Sequence, residues 1–192
     1  MDVPDQELLA QYRKGNPDAL GILVERYRRP LFGYILNMTG GQVDADEIFQ
    51  EVWMRVIRKI GSYQHQNFHG WLVRIAHNLV IDKVRRRRPE VSLDAGAGEE
   101  GSSLGDVIAG DAPGPDAGLA NRDLRRAIGA AVETLPLEQR EVFVMRVKLE
   151  LPFKEIAAIQ GTSINTALAR MQYALGKLRG LLHERYAELG AL

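Results

Sequence analysis

The chain has 192 residues, 45% hydrophobic and 26% charged, a globular composition that excludes wholesale disorder and fits one large domain or two small ones. Its 25 basic and 25 acidic side chains cancel, and a zero total taken alone argues against a nucleic-acid binder. The absence of cysteine excludes disulfides, thiolate metal sites and cysteine nucleophiles.

The N-terminus, Met1 to Glu7, is acidic and lacks the apolar core of a signal peptide. No apolar run approaches the roughly 18 residues of a membrane helix. The expectation is a soluble cytoplasmic protein with no membrane partner.

Asn16-Pro17-Asp18 reads as a turn into a helix that begins near Pro17. Thr39-Gly40-Gly41 closes the helix containing Leu31, Ile35 and Leu36, and Asp44 is the expected cap of the next. At about 100° per residue, a helix over Asp44 to Ile60 gathers Ile48, Phe49, Val52, Trp53, Val56 and Ile60 on one face. Glu47, Gln50, Glu51, Met54 and Arg58 fall on the other. That second face is either an ordinary solvated surface or a docking surface, which Met54 among polar neighbours would suit.

Next comes Gly61-Ser62-Tyr63-Gln64-His65-Gln66-Asn67-Phe68-His69-Gly70, which mixes aromatic and amide side chains without charge. Such a loop suits an unstacked base, with Tyr63 and Phe68 for stacking and amides for edge contacts. The plainer alternative is a polar loop whose Phe68 tucks into the core. His65 and His69 are four apart, but flanking glycines and the lack of a third ligand argue against zinc.

Trp71 to Arg88 reads as a helix with Leu72, Ile75, Ala76 and Leu79 inward. Arg74, His77, Asn78, Ile81, Arg85 and Arg88 lie opposite, and Pro89 ends the run. Arg85, Arg86, Arg87 and Arg88 repel one another unless a polyanion neutralises them, and guanidinium forks match phosphate oxygens. Asn78 can pair bidentately with an adenine edge. Simple solubilising charge is the competing reading.

Residues 91–120 hold seven glycines, two prolines, six acidic residues and no Lys or Arg. They read as a flexible acidic linker, with a root-mean-square span of about 30 Å as a coil. Charge divided by segment gives net +3 for residues 1–90, −6 for 91–120 and +3 for 121–192. Two mildly basic modules joined by an acidic tether remove the objection raised by the zero total.

In the second module, Leu135-Pro136 breaks the helices, and Pro136 is expected in the first turn of the helix after the break. Phe153 to Gln160 reads as a short helix, Gly161-Thr162-Ser163 as a turn with Ser163 as cap, and Ile164 to Leu182 as a second helix. Ile164, Ala167, Met171, Leu175 and Leu178 are expected inward. Asn165, Thr166, Ala169, Arg170 and Tyr173 then point outward, where a recognition helix meets base edges. A structural helical hairpin gives a similar pattern. No strand-like alternation is sustained, so the expected fold is all-α: two small helical domains, the second with a helix–turn–helix.

The pieces in order resemble a known family. They are Leu8 to Ala19; Asp44-Ala45-Asp46-Glu47-Ile48-Phe49-Gln50-Glu51-Val52-Trp53; Phe68 to Asp82; Leu135 to Phe143; and Phe153-Lys154-Glu155-Ile156-Ala157. Together they are similar to the extracytoplasmic-function group of bacterial RNA polymerase sigma factors, in the sigma-70 superfamily. The resemblance implies an alternative sigma factor that binds core RNA polymerase and directs promoter recognition and melting.

On that resemblance, Glu47, Gln50 and Glu51, with Met54 and Arg58 beside them, match the helix that docks on the polymerase clamp. The Tyr63–Phe68 loop, including His65, Gln66 and Asn67, and the face with Arg74, His77 and Asn78 match the part that reads and melts the −10 element. Arg85 to Arg88 would hold nearby phosphates. The second module, with Ser163 and the outward residues of its long helix, would read the −35 element. The family is commonly held inactive by an anti-sigma factor. The implied protein is no enzyme and needs no catalytic residue, cofactor or metal.

Two departures stand out. Glu47 replaces the family's usual Asp, a conservative change. The recognition helix has Leu168 where Lys is usual and Tyr173 where Arg is frequent, which implies fewer phosphate contacts and weaker, less salt-dependent duplex binding. An interaction adaptor and a free-standing helix–turn–helix regulator are the alternative functions.

Overall fold

The computed structural model describes residues 3–64, 67–87 and 119–189. Regular structure among them is entirely helical. The first group comprises α1 (Asp5–Arg13), α2 (Asp18–Thr39), α3 (Gln42–Lys59), a 3₁₀ turn (Ile60–Ser62) and α4 (Phe68–Arg87). The second comprises α5 (Leu119–Glu133), α6 (Leu137–Val147), α7 (Phe153–Gln160) and α8 (Ile164–Leu189).

Turn chemistry sets the boundaries. Pro17 immediately precedes α2, and Gly40 ends it in the left-handed region at φ 70°, donating its N–H to the Leu36 carbonyl. Pro30 sits inside α2 and leaves the fourth preceding carbonyl without its helical donor. The third helix starts at Gln42 with Gly41 as its cap, not at Asp44. Asp44 lies inside the first turn, buried, with its Oδ1 3.2 Å from Lys83 Nζ on α4. A carboxylate there also suits the helix N-terminus electrostatically.

The fourth helix starts at Phe68, three residues earlier than its apolar period indicates. The cause is Asn67, whose Oδ1 accepts the Gly70 N–H at 2.9 Å as an N-cap. Leu8, Leu23, Leu31, Ile35, Val52, Val56, Leu72 and Val80 form the core of this group.

In the second group, Pro136 lies just outside α6 rather than in its first turn, with φ −52° and ψ 145°. Its carbonyl accepts the Gln139 and Arg140 N–H groups. Gly161 takes φ 65° at the end of α7, and Ser163 Oγ accepts the Thr166 N–H at 3.0 Å, so the helix–turn–helix is capped on both sides of its turn. Val142, Met145, Ile156, Ala167, Ala174 and Leu178 fill the core.

Two residues expected inward are not: Ile164 and Leu175 are each 44% exposed. The buried stripe of α8 runs through Ala167, Ala174 and Leu178. Ile164 and Leu175 sit about 60–80° to its side at helical pitch. Met171 is half-buried.

The two groups dock, α2 against α6 and α4 against α7, and their apolar cores are continuous. The acidic segment 91–120 lies outside the described residues except for Leu119 and Ala120, which open α5. No described helix is long and apolar enough to cross a membrane.

Candidate nucleic-acid interface

The buried face of α4 carries Leu72, Val73, Ile75, Ala76 and Val80. Burial of that stripe fixes the outward face. Arg74, Asn78 and Arg85 are exposed, as is Arg86. Arg74, Asn78 and Arg85 lie within about 40° of one another around the helix and span about 16 Å along it. They form one ridge of two guanidinium groups flanking an amide. The side chain of Arg87 and all of Arg88 lie outside the described residues.

His77 does not join that ridge. It is half-buried, and its Nδ1 lies 2.6 Å from Glu141 Oε1 on α6. The same Glu141 oxygen accepts the Tyr34 hydroxyl from α2 at 2.7 Å, and Oε2 accepts Gln160 Nε2 from α7 at 2.6 Å. Gln160 in turn accepts Arg170 Nη1 from α8 at 2.8 Å. Arg140 donates to the Asn37 carbonyl across the same junction at 3.4 Å.

Glu141 is only 2% exposed, and both its oxygens are satisfied. Burial pushes its carboxyl pKa up, but the bonds from His77, Gln160 and Tyr34 outweigh that and hold it below the ordinary range. Burial and the neighbouring carboxylate raise the Tyr34 hydroxyl well above its usual value. No helical period links these residues, and sequence reasoning missed Glu141, Tyr34 and Gln160 altogether.

The loop aromatics require a correction as stacking surfaces. Tyr63 is 4% exposed and Phe68 1%. They pack edge-on with ring centroids 5.9 Å apart, and Trp71 lies 4.6 Å from Tyr63 and 5.8 Å from Phe68. Phe68 thus follows the plainer alternative, in which it seats the loop in the core. In this state neither ring offers a face to a base. Arg13 pins the loop by donating to the carbonyls of Ile60 and Tyr63. His69 stacks on Tyr27 at 5.1 Å, and burial lowers its pKa. Gln64 and Asn67 remain exposed, while His65 and Gln66 lie outside the described residues.

The outer face of α3 carries Glu47, Gln50, Met54 and Arg58, all exposed, and a half-buried Glu51. Glu51 accepts Arg55 Nε at 2.8 Å, and Glu47 accepts Lys83 Nζ at 2.8 Å. Val43, 82% exposed, and Ile57, 43% exposed, share this face, so it is more apolar than its acids suggest. The same 100° period that gathered the acids places both there.

On the helix–turn–helix, Asn165, Leu168 and Tyr173 are exposed. Ser163 and Thr166 are engaged in the cap, Ala169 is half-buried, and Arg170 is held by Gln160. Of the five residues expected outward on this helix, Asn165 and Tyr173 are the fully exposed ones.

Among the described residues the structure is all helical, with a helix–turn–helix and an arginine–amide ridge, which is a frame compatible with a DNA-binding transcription protein. Comparison with known proteins narrows that class. The Sigma-70 region 2 family matches residues 23–90, and the Sigma-70, region 4 family matches residues 125–178. The chain is 30% identical over 186 residues to the ECF RNA polymerase sigma factor SigW of Bacillus subtilis, covering 96% of this chain and all of that protein.

Two solved structures share the fold. CnrH in complex with the cytosolic domain of CnrY superposes with a TM-score of 0.66 at 23% identity, over 94% of this chain and 97% of that one. The sigma factor RpoE of Bartonella quintana, in complex with the anti-sigma factor NepR, gives 0.67 at 22% identity, over 85% and 96%. The chain belongs to the ECF RNA polymerase sigma factors: it is an alternative sigma factor, an initiation factor that directs transcription.

Proposed function

We propose that the exposed Arg74–Asn78–Arg85 ridge of α4 is the surface with which this sigma factor reads and opens the −10 element in the holoenzyme. The observation that carries this reading is the coincidence on one solvent-facing line of two guanidinium groups, suited to phosphates, and one amide, suited to an adenine edge. Asn67 at the N-terminus of the same helix extends the line, and Arg86 adds a nearby cation.

The outer face of α3 docks on core RNA polymerase. Met54, Ile57 and Val43 supply apolar contact, and Glu47, Gln50, Glu51 and Arg58 supply polar contact. The helix–turn–helix of α7 and α8 meets −35 duplex through Asn165 and its neighbours. With Leu168 and Tyr173 in place of cations, it binds weakly and with a shallow salt dependence. An anti-sigma factor is a further partner, since two of the solved proteins that share this fold are in complex with CnrY and with the anti-sigma factor NepR. The protein works in the cytoplasm and carries out no reaction itself.

Asn78→Ala tests the ridge. It is expected to reduce open-complex formation on promoter DNA at least tenfold while leaving affinity for core polymerase unchanged. Equal loss of both would remove Asn78 from the DNA-reading surface.

A further inference from the structure

We propose that α1 is a strut for the −10 loop, and that Arg13, at its C-terminal end, is a positioning residue for promoter opening. The inference deepens the proposed −10 role of α4 and rests on it.

The first and last residues of α1 hold opposite flanks of that loop. At the entry, the Arg13 guanidinium donates to the Ile60 carbonyl from Nη2 at 3.1 Å and from Nε at 3.3 Å, and Nη2 also donates to the Tyr63 carbonyl. Ile60 and Tyr63 bracket the 3₁₀ turn through which α3 gives way to the loop. At the exit, Asp5 accepts the Tyr27 hydroxyl and the Arg26 guanidinium. Tyr27 lays its ring against Phe68 at 5.8 Å and stacks on His69 at 5.1 Å, and these two residues open α4. Asp5 and Arg13 are eight positions apart, about 12 Å along the helix. The exposed amides of Gln64 and Asn67 fall in sequence between the two holds.

Arg13 is chemically suited to its place. A planar guanidinium presents its donors in a fixed fork, so one side chain bonds two carbonyls of a turn at once. The group also stands beyond the C-terminus of α3, where the helix dipole favours a cation.

The seat of α1 itself comes from elsewhere. Leu8 and Leu9 are each 1% exposed in the core, whereas Arg13 reaches the turn from an exposed position. Removing the guanidinium therefore leaves α1 in place and releases the turn. A loop already ordered by folding meets DNA without a further loss of conformational entropy, and a released one does not. The defect should fall on promoter opening and spare polymerase docking, which is proposed for the outer face of α3.

The test uses the full chain in the holoenzyme. Arg13→Ala is expected to lower open-complex formation about fivefold with affinity for core polymerase unchanged. Arg13→Lys, which keeps a cation and its donors, should restore part of the loss. A nitroxide on Q64C, in a chain with no natural cysteine, should move faster when Arg13→Ala is added. Tyr27→Phe removes the bond to Asp5 but keeps the ring. It should lower open-complex formation in the same direction, and it serves if Arg13→Ala folds poorly.

Unchanged nitroxide motion, or loss of open complex equal to loss of core affinity, would overturn the strut. Failure of the −10 reading shows differently. Asn78→Ala, measured alongside, would then leave open-complex formation intact while the nitroxide still reports a freed turn, and the inference would fall with the reading it rests on.

Discussion

Tyr34 and Glu141, 107 positions apart in the chain, meet through a 2.7 Å hydrogen bond in which the buried phenol donates to a buried carboxylate. Glu141 also takes bonds from His77 and Gln160. A hydroxyl in a core demands an acceptor, and a carboxylate there demands donors. Each answers the other only when the two helical groups dock. Tyr34→Phe removes one charge-assisted bond and leaves Glu141 two partners. It should weaken the docked state by about 1.5–3 kcal/mol, read as a lower urea midpoint with the helical content of each group retained.

Acid should loosen the same junction. The folded carboxyl of Glu141 is held below its ordinary value, so the unfolded chain takes up this proton first as pH falls. Its contribution to stability is complete above the ordinary carboxylate range and drains away as pH falls through the folded value. A urea midpoint followed from neutral pH into the acid range should fall further for wild type than for Glu141→Gln. Parallel curves would show that Glu141 does not carry the dependence.

Asn67 combines two jobs that substitutions separate. Its side chain caps α4 and remains exposed, on the line proposed to meet DNA. Asn67→Ala should cost about 1 kcal/mol of stability and also lower transcription. Asn67→Asp keeps the cap, because a carboxylate accepts the same N–H, but places negative charge beside the phosphates. Its thermal midpoint should match wild type while open-complex formation falls.

Phe68 distinguishes a core ring from a stacking platform. At 1% exposure it is packed among Tyr27, Tyr63 and Trp71. Phe68→Ala should cost about 3–5 kcal/mol. Loss of transcription in this variant should therefore track loss of folded protein, as measured by circular dichroism on the same sample.

Leu168 tests the proposed second reading surface. It is 39% exposed on α8, where the proposed −35 contact would bring an added cation to phosphate. Leu168→Lys should tighten binding to duplex DNA and steepen the salt dependence by about one unit on a log–log plot. An unchanged slope would place this position away from phosphate.

Much of this architecture was legible because it obeys local rules. Gly40 and Gly161 take the left-handed turns their positions call for, and Ser163 caps the helix it precedes. The exposed line of Arg74, Asn78 and Arg85 comes from the apolar period beneath it. Local rules fail where long-range contacts decide. His77 falls on the same broad polar side of α4 as Asn78, yet Glu141, 64 residues later, draws it into the junction. Arg170 points toward the turn because Gln160 accepts its guanidinium. Tyr63 and Phe68 suit a base on sequence because they sit among amides in an uncharged loop, whereas Trp71 and Tyr27 gather them inward. Charge along the chain shows none of this, since pairing depends on which faces meet.

The most direct measurement is transcription in vitro with core RNA polymerase, this protein and a library of genomic fragments, alongside the Asn78→Ala variant. The account predicts discrete promoter-specific transcripts that require the wild-type protein and are strongly reduced by the substitution. Absence of such transcripts, under conditions where a control sigma factor initiates normally, would contradict it.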